Sequence, residues 1–289
     1  MSAYRALLDP LSGPNAEVRA GDPPLVAFSA SGWTNVVHLL LRGGTDPNTR
    51  RGWDGATALM GAAANGHVET VRRLLETDAD PQVARFVDDA FPLLLASAAG
   101  HEDVVQALLA AAPATEVDQA APRARRATPL AAAAQGGHAA VVAAVLAAGA
   151  DPNLPAAFGL SPLVLASEGG HAMVIKQLLA AGGDPSRPRT DGATPLIRAA
   201  ASGHEEAVKL LLQAGADPGQ AAHRIDGITR PSGGATALLA AAAFGHIAIV
   251  RALLSAGADP DQPRNDGGTP LMAAAARGHW AVAIALLEA

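Results

Sequence analysis

A Gly-His step returns down this chain at nearly constant intervals. It occurs at Gly66-His67, Gly100-His101, Gly137-His138, Gly170-His171, Gly203-His204, Gly245-His246 and Gly278-His279, with Gly32-Trp33 as a degenerate first copy. From Trp33 onward the steps are 34, 34, 37, 33, 33, 42 and 33 residues. Ten residues before each stands a Thr-Pro-Leu-like start: Thr57, Thr128, Ser161, Thr194, Thr236 and Thr269, with Pro23 and Phe91 in the same slot of the other two copies. Length alone would suggest two ordinary domains, but a period of 20–50 residues means a repeat architecture and takes precedence.

Each copy reads as two short antiparallel helices and a loop. Thr or Ser in the first slot can cap the free N–H groups of the first helix, and the Pro that often follows suits the first helical position. The first helix, as in Pro195 to Ala201, is nearly all Leu and Ala, so it can approach its neighbours closely. The second helix carries apolar residues three, four, seven and eight positions after the His, as with Val104, Val105, Leu108 and Leu109. That is an apolar stripe at helical spacing. Gly149, Gly215 and Gly257 open a Gly-Ala-Asp-Pro closure, the Gly supplying a left-handed cap and the Pro forbidding continuation. One such hairpin cannot bury its own stripes, so copies must stack into a continuous core.

The blocks Asp191 to Leu196 (Asp-Gly-Ala-Thr-Pro-Leu), Ala200 to His204 (Ala-Ala-Ser-Gly-His) and Leu210 to Pro218 (Leu-Leu-Leu-Gln-Ala-Gly-Ala-Asp-Pro) resemble the ankyrin repeat family. The resemblance covers essentially the whole chain. It implies an all-α ankyrin-repeat solenoid, stacked helix-turn-helix units with protruding finger loops. It divides residues 1–289 into a half repeat at 1–16 and repeats at 17–50, 51–84, 85–121, 122–154, 155–187, 188–229, 230–262 and 263–289. One departure is systematic. The His that usually follows Thr-Pro-Leu is Met60, Leu94, Ala131, Val164, Ile197, Leu239 or Met272 here, which is expected to loosen registration between repeats.

Two joins are irregular. Asp78 and Ala112 stand where Gly closes other copies, so Ala111 to Ala127, with Pro113, is expected to leave the standard loop. The join from Gly219 to Gly234 carries nine extra residues and is expected to protrude. Leu7-Leu8 lies 33 residues before Leu40-Leu41, placing the start inside the second helix of an earlier repeat. Val282, Ile284 and the alanines around them do not supply the polar outer face of a terminal repeat, so the chain is expected to be part of a longer array or to have flanking domains.

Chemistry-bearing residues belong to the repeat. Seven of the nine His occupy one slot, and a stack holds such residues one helix-packing distance apart, about 8–10 Å, too far to share a metal ligated at about 2 Å. They are expected to hydrogen-bond loop backbone between neighbours; His38 reads as a helix-surface residue, and His223 alone lies outside the pattern. The chain has no Cys, which removes thiol catalysis and Cys-ligated zinc. The glycines are periodic and form no phosphate loop, and the carboxylate pair Asp88-Asp89 falls in a solvated loop. No catalytic residue, cofactor or metal is expected. The first ten residues lack the apolar core of a signal peptide, and Ala139 to Ala150 is too short to span a bilayer, so a cytoplasmic or nuclear protein without membrane insertion is expected.

Binding residues emerge once the constant slots are subtracted. In the ankyrin family partners usually meet the finger tips and the concave edge of the first helices. Candidates at the tips are Arg51, Trp53, Asp54, Arg85, Phe86, Arg125, Arg126, Phe158 and Arg189; Phe244 and Arg277 stand at the edge. Four of only nine aromatics fall in these positions, and aromatics with Arg dominate interface energetics. The net charge of −6 argues against nucleic acid, which calls for a basic face. The short cluster Arg123, Arg125 and Arg126 points instead to an acidic or phosphorylated protein partner. The expected function is a protein-interaction scaffold; the alternatives are the targeting arm of a larger kinase or ubiquitin ligase, or a passive spacer.

Overall fold

A computed structural model describes residues 22–111, 117–124, 126–222 and 233–289 of the chain. The half repeat 1–16, Ala112, Pro113, Arg125, His223 and most of the long insertion lie outside the described residues. Those described form sixteen α-helices and no strand, in two compact units, Met1–Asp151 and Pro152–Ala289. The all-α expectation holds.

In the first unit the helix pairs are α1 (Pro24–Ala30) with α2 (Thr34–Arg42), α3 (Ala58–Ala64) with α4 (Val68–Leu75), α5 (Pro92–Ala99) with α6 (Glu102–Ala111), and α7 (Pro129–Gly136) with α8 (Ala139–Ala147). The second unit pairs α9 (Pro162–Gly169) with α10 (Ala172–Ala180), α11 (Pro195–Ser202) with α12 (Glu205–Gln213), α13 (Ala237–Phe244) with α14 (Ile247–Ser255), and α15 (Pro270–Ala276) with α16 (Trp280–Leu287). Within each unit, first helices pack on first helices and second on second, as α3 does on α1 and α5, and α12 on α10 and α14.

Local chemistry sets the helix starts. The hydroxyls of Thr57, Thr128, Ser161, Thr194, Thr236 and Thr269 each accept from the N–H three residues on, at 3.2–3.4 Å. Pro23 and Phe91 cap without a side-chain bond, and Phe91 is buried as a core residue instead. Six of the apolar residues that replace the usual His (Met60, Leu94, Ala131, Val164, Ile197 and Leu239) are buried; Met272 is exposed. Asp78 does occupy a left-handed position, with φ +60°. Val282 turns inward and is buried, so of the two residues expected on the outer face only Ile284 lies there.

The repeated dipeptide turns out to be an inter-repeat device. Four of these His place their Nε2 against a carbonyl two residues before the Gly of the preceding copy: His67 on Ala30, His101 on Ala64 and His138 on Ala98 at 3.1 Å, His204 on Glu168 at 3.0 Å. A carbonyl only accepts, so Nε2 carries the proton. These carbonyls lie in the last turns of the preceding first helices, not in loops as the sequence reading had it, and such groups have no partner within their own helix. The ring also rests on the preceding Gly. A Cβ built on Gly100 would lie 2.5 Å from His138 Nδ1, and one on Gly170 2.5 Å from His204 Nδ1. Gly in one copy and His in the next are therefore one lock.

Substituting either half should be costly. Gly170→Ala combines the steric conflict with a left-handed φ of +71°, and we expect a loss of at least about 2 kcal/mol in urea unfolding. Thr194→Ala, which removes only a cap, should cost about 1 kcal/mol. Equal losses for the two would refute the lock.

Candidate interaction surface

Four fingers that begin with Arg are closed at the base by one backbone bond: Arg51 N–H to the Ala56 carbonyl at 2.8 Å, Arg85 to Ala90 at 2.9 Å, Arg189 to Ala193 at 3.0 Å and Arg264 to Gly268 at 2.9 Å. The side chain of the same Arg then clasps an Asp within the tip. Arg51 Nε donates to Asp54 Oδ1 at 2.9 Å while its Nη2 meets Oδ2. Arg85 grips Asp88 likewise, and Arg189–Asp191 and Arg264–Asp266 pair at 3.0 Å. The Asp in turn accepts the N–H two residues on, as from Ala56, Ala90, Ala193 and Gly268.

These clasps correct the sequence reading of the tips. Arg51 and Asp54 are only 7% and 1% exposed, so neither is an accessible contact. Arg85 and Arg189 are partly buried and committed to Asp88 and Asp191. Burial pushes the Asp54 carboxyl up. The Arg51 hydrogen bond, the Ala56 N–H and the charges of Arg51 and Arg85 outweigh that and hold it below its ordinary value. The guanidinium of Arg51 is raised by the same bond against the opposing effect of burial.

The aromatics behave differently. In the first unit, Trp53 is half exposed, with the Arg51 guanidinium 4.2 Å from its ring and its Nε1–H donated to Asp22 Oδ1 at 3.4 Å. Phe86, on the next finger, is also half exposed. Its ring lies over Gly55, where an added Cβ would come within 2.7 Å of Cδ2, and the Arg50 guanidinium stands 5.1 Å from its centroid. Its N–H donates to the Asp54 carbonyl at 2.8 Å, tying one finger to the next. Arg123 continues the seam: its Nη1 donates to the Phe86 carbonyl and its N–H to Asp89 Oδ2 at 3.0 Å. Val87 is exposed beside Phe86, and Arg126 is exposed with φ +55°. Neither Arg50 nor Arg126 enters an ion pair among the described residues. Val87 and Arg50 were absent from the sequence candidates, although each adjoins one.

The second unit holds the remaining candidates apart in two places. Phe158 is an exposed tip residue held at φ +61°, its carbonyl accepting both the N–H and the hydroxyl of Thr190 at 3.0 and 3.1 Å. Phe244 and Arg277 do come together at the first-helix edge. The Arg277 guanidinium lies 5.0 Å from the Phe244 ring and donates to the Ala243 carbonyl at 3.1 Å, while the ring also stacks on His246 at 6.2 Å. Among the described residues no helix is long and apolar enough to cross a membrane.

Stacked helix pairs, four of them preceded by an Arg–Asp-clasped finger, define a repeat scaffold. The family model described as ankyrin repeats (3 copies) matches residues 2–85, 130–222 and 223–289, and the chain belongs to the ankyrin-repeat family. No curated protein matches it. The unmatched interval holds most of the α5–α6 copy, where Phe91 replaces the Thr cap, yet the helix pair there is the same. Ankyrin repeats are generally protein–protein interaction modules, and the fold is typically non-catalytic.

The clasp predicts a specific pH response. The carboxyl of Asp54 is depressed in the folded state, so its contribution is complete above about pH 4 and is lost as pH falls through the lower folded value. Asp54→Asn should therefore lose less stability than the wild type on acidification below pH 4. At neutral pH, Asp54→Ala, which leaves Arg51 buried without its main partner, should cost about 3 kcal/mol. Arg51→Met/Asp54→Ala should recover much of that. Chemical denaturation across pH measures both.

Proposed function

We propose that the protein binds a partner protein through the finger tips of its first unit. Trp53, Phe86 and Val87 are the apolar anchors, and Arg50 and Arg126 are the charges that select an acidic or phosphorylated segment. The observation that carries this reading is the combination of exposure and rigidity. Three large apolar side chains on successive fingers remain half exposed, while the backbone beneath them is fixed by clasps and by bonds from finger to finger. Anchors that lose little freedom on binding convert more of their buried area into affinity. The arginines inside the clasps preserve the shape of the tips; Arg50 and Arg126, with no carboxylate of their own, keep charge to offer.

Affinity capture with mass spectrometry tests the reading. The wild type should retain a discrete protein that Trp53→Ala/Phe86→Ala loses, with the thermal transition unchanged. Once that protein is in hand, the double variant should bind it at least about thirtyfold more weakly, the effect of removing a central anchor worth about 2 kcal/mol. Arg50→Glu/Arg126→Glu should weaken it further at low salt than at high salt. Unchanged capture by the aromatic variant would sink the proposal; unchanged capture by the charge-reversed variant would remove the acidic partner.

A further inference from the structure

One copy alone places Asn before the glycine of the lock. Asn65-Gly66 is the single Asn-Gly step in the chain; the other copies put Ser, Ala, Gly, Phe or Arg in that slot. The step ends α3, and Gly66 is the glycine on which the His101 ring rests: an added Cβ would lie 2.7 Å from Nδ1. Through Nε2 the same ring holds the Ala64 carbonyl at 3.1 Å. Asn65 is tied as well. Its Nδ2 donates to the Gly61 carbonyl at 2.9 Å, and the next N–H, that of Gly66, reaches the Ala63 carbonyl at a long 3.4 Å. The Asn65 ψ of +6° turns the Gly66 nitrogen about 120° away from the Asn65 Cβ about the Cα–C bond.

We propose that Asn65 is a site of spontaneous deamidation, held closed by the lock between the second and third copies and reactive when that lock opens. Glycine leaves its own nitrogen unhindered as a nucleophile. As the Gly66 nitrogen gives up its proton to solvent base, it bonds to the Asn65 Cγ; the Cγ–Nδ2 bond breaks and ammonia leaves. Water then opens the five-membered imide at one of its two carbonyls, giving aspartate or isoaspartate. In the closed lock this attack is blocked twice, because the nitrogen faces away from Cγ and the amide is held by Gly61. Rotating ψ to bring the nitrogen round also carries Gly66 out from under the His101 ring, so the reaction requires a local opening of the lock. Isoaspartate routes the backbone through the side chain and adds one carbon to it. Gly66 then no longer meets the ring, and the loosening is permanent. The two copies so joined carry Trp53 and Phe86, which lose their fixed offset whatever binds them.

Peptide mapping of the full chain, kept warm at mildly alkaline pH, tests this. Trypsin releases residues 52–72, which carry Asn65 and gain the mass difference between an amide and an acid. A synthetic peptide of the same residues gives the unprotected rate, and the folded chain should convert at least about tenfold more slowly. His101→Ala should speed conversion at least about threefold, whereas His204→Ala, in the second unit, should leave it unchanged. If His101→Ala does not fold, sub-denaturing urea on the wild type reads the same opening and should raise the rate. The isolated isoaspartate product should exchange amide hydrogens faster in α3 and α5; Asn65→Asp, with the charge but not the added carbon, should be less affected. A folded rate equal to the peptide's, or one that neither His101→Ala nor urea raises, overturns the gate. No mass gain at Asn65 even in urea overturns the site, and an isoaspartate chain as protected as the wild type overturns the loosening.

Discussion

The bond from a His ring to the end of the preceding first helix is the constraint on which the rest of the structure depends. The last carbonyls of a helix have no partner within it, and in a stack they point toward the next copy. His204 reaches Glu168, and His101 reaches Ala64, only because glycine leaves the space their rings occupy. The neighbour's position is thereby fixed at the point where helices so rich in Ala and Leu would otherwise slide. Between the loops a second tie does similar work. Asn48 donates to the Asp78 carbonyl and accepts from Asp80, and Asn153 does the same with Gly182 and Asp184. Register between neighbours is thus carried by polar bonds at the two ends of the pair, while the slot that usually holds a His is left to apolar packing.

A fixed register lets the fingers become rigid. The N–H of Phe86 can meet the Asp54 carbonyl, and Arg123 the Phe86 carbonyl, only if successive copies sit at a constant offset. At four of the tips the Arg–Asp clasps then set the shape from within. Charge at the tips is therefore divided: paired, it sets the shape of the loop; unpaired, as at Arg50 and Arg126, it stays exposed to solvent. Arg51 and Arg50 are adjacent in sequence and fall on opposite sides of that division.

Helix positions, caps and the stacked all-α class were legible in the sequence because each depends on residues within one copy or on their period. Thr194 and Ser161 cap as their slot implies, and Gly149, Gly215 and Gly257 take the left-handed closure. The accessible residues were only half legible. Trp53, Phe86, Phe158 and Phe244 are exposed as their positions suggested, whereas Arg51 and Asp54 are not. An Arg-x-x-Asp spacing in a loop gives no sign of whether its charges face each other or the solvent. That depends on the turn bringing residues three apart into bidentate range.

By itself the sequence determined the repeat, its period, its helix ends and the composition of its core, since these follow from local hydrogen-bond chemistry and apolar spacing. Tertiary structure decided which carbonyl each His seeks, which tip charges are consumed, and which apolar residues remain uncovered. Arg50 and Arg51 make the point. Adjacent and identical, one is exposed and the other only 7% exposed inside its clasp with Asp54. The difference lies in what each side chain meets across the turn, a property of neighbours that no residue carries in its own identity.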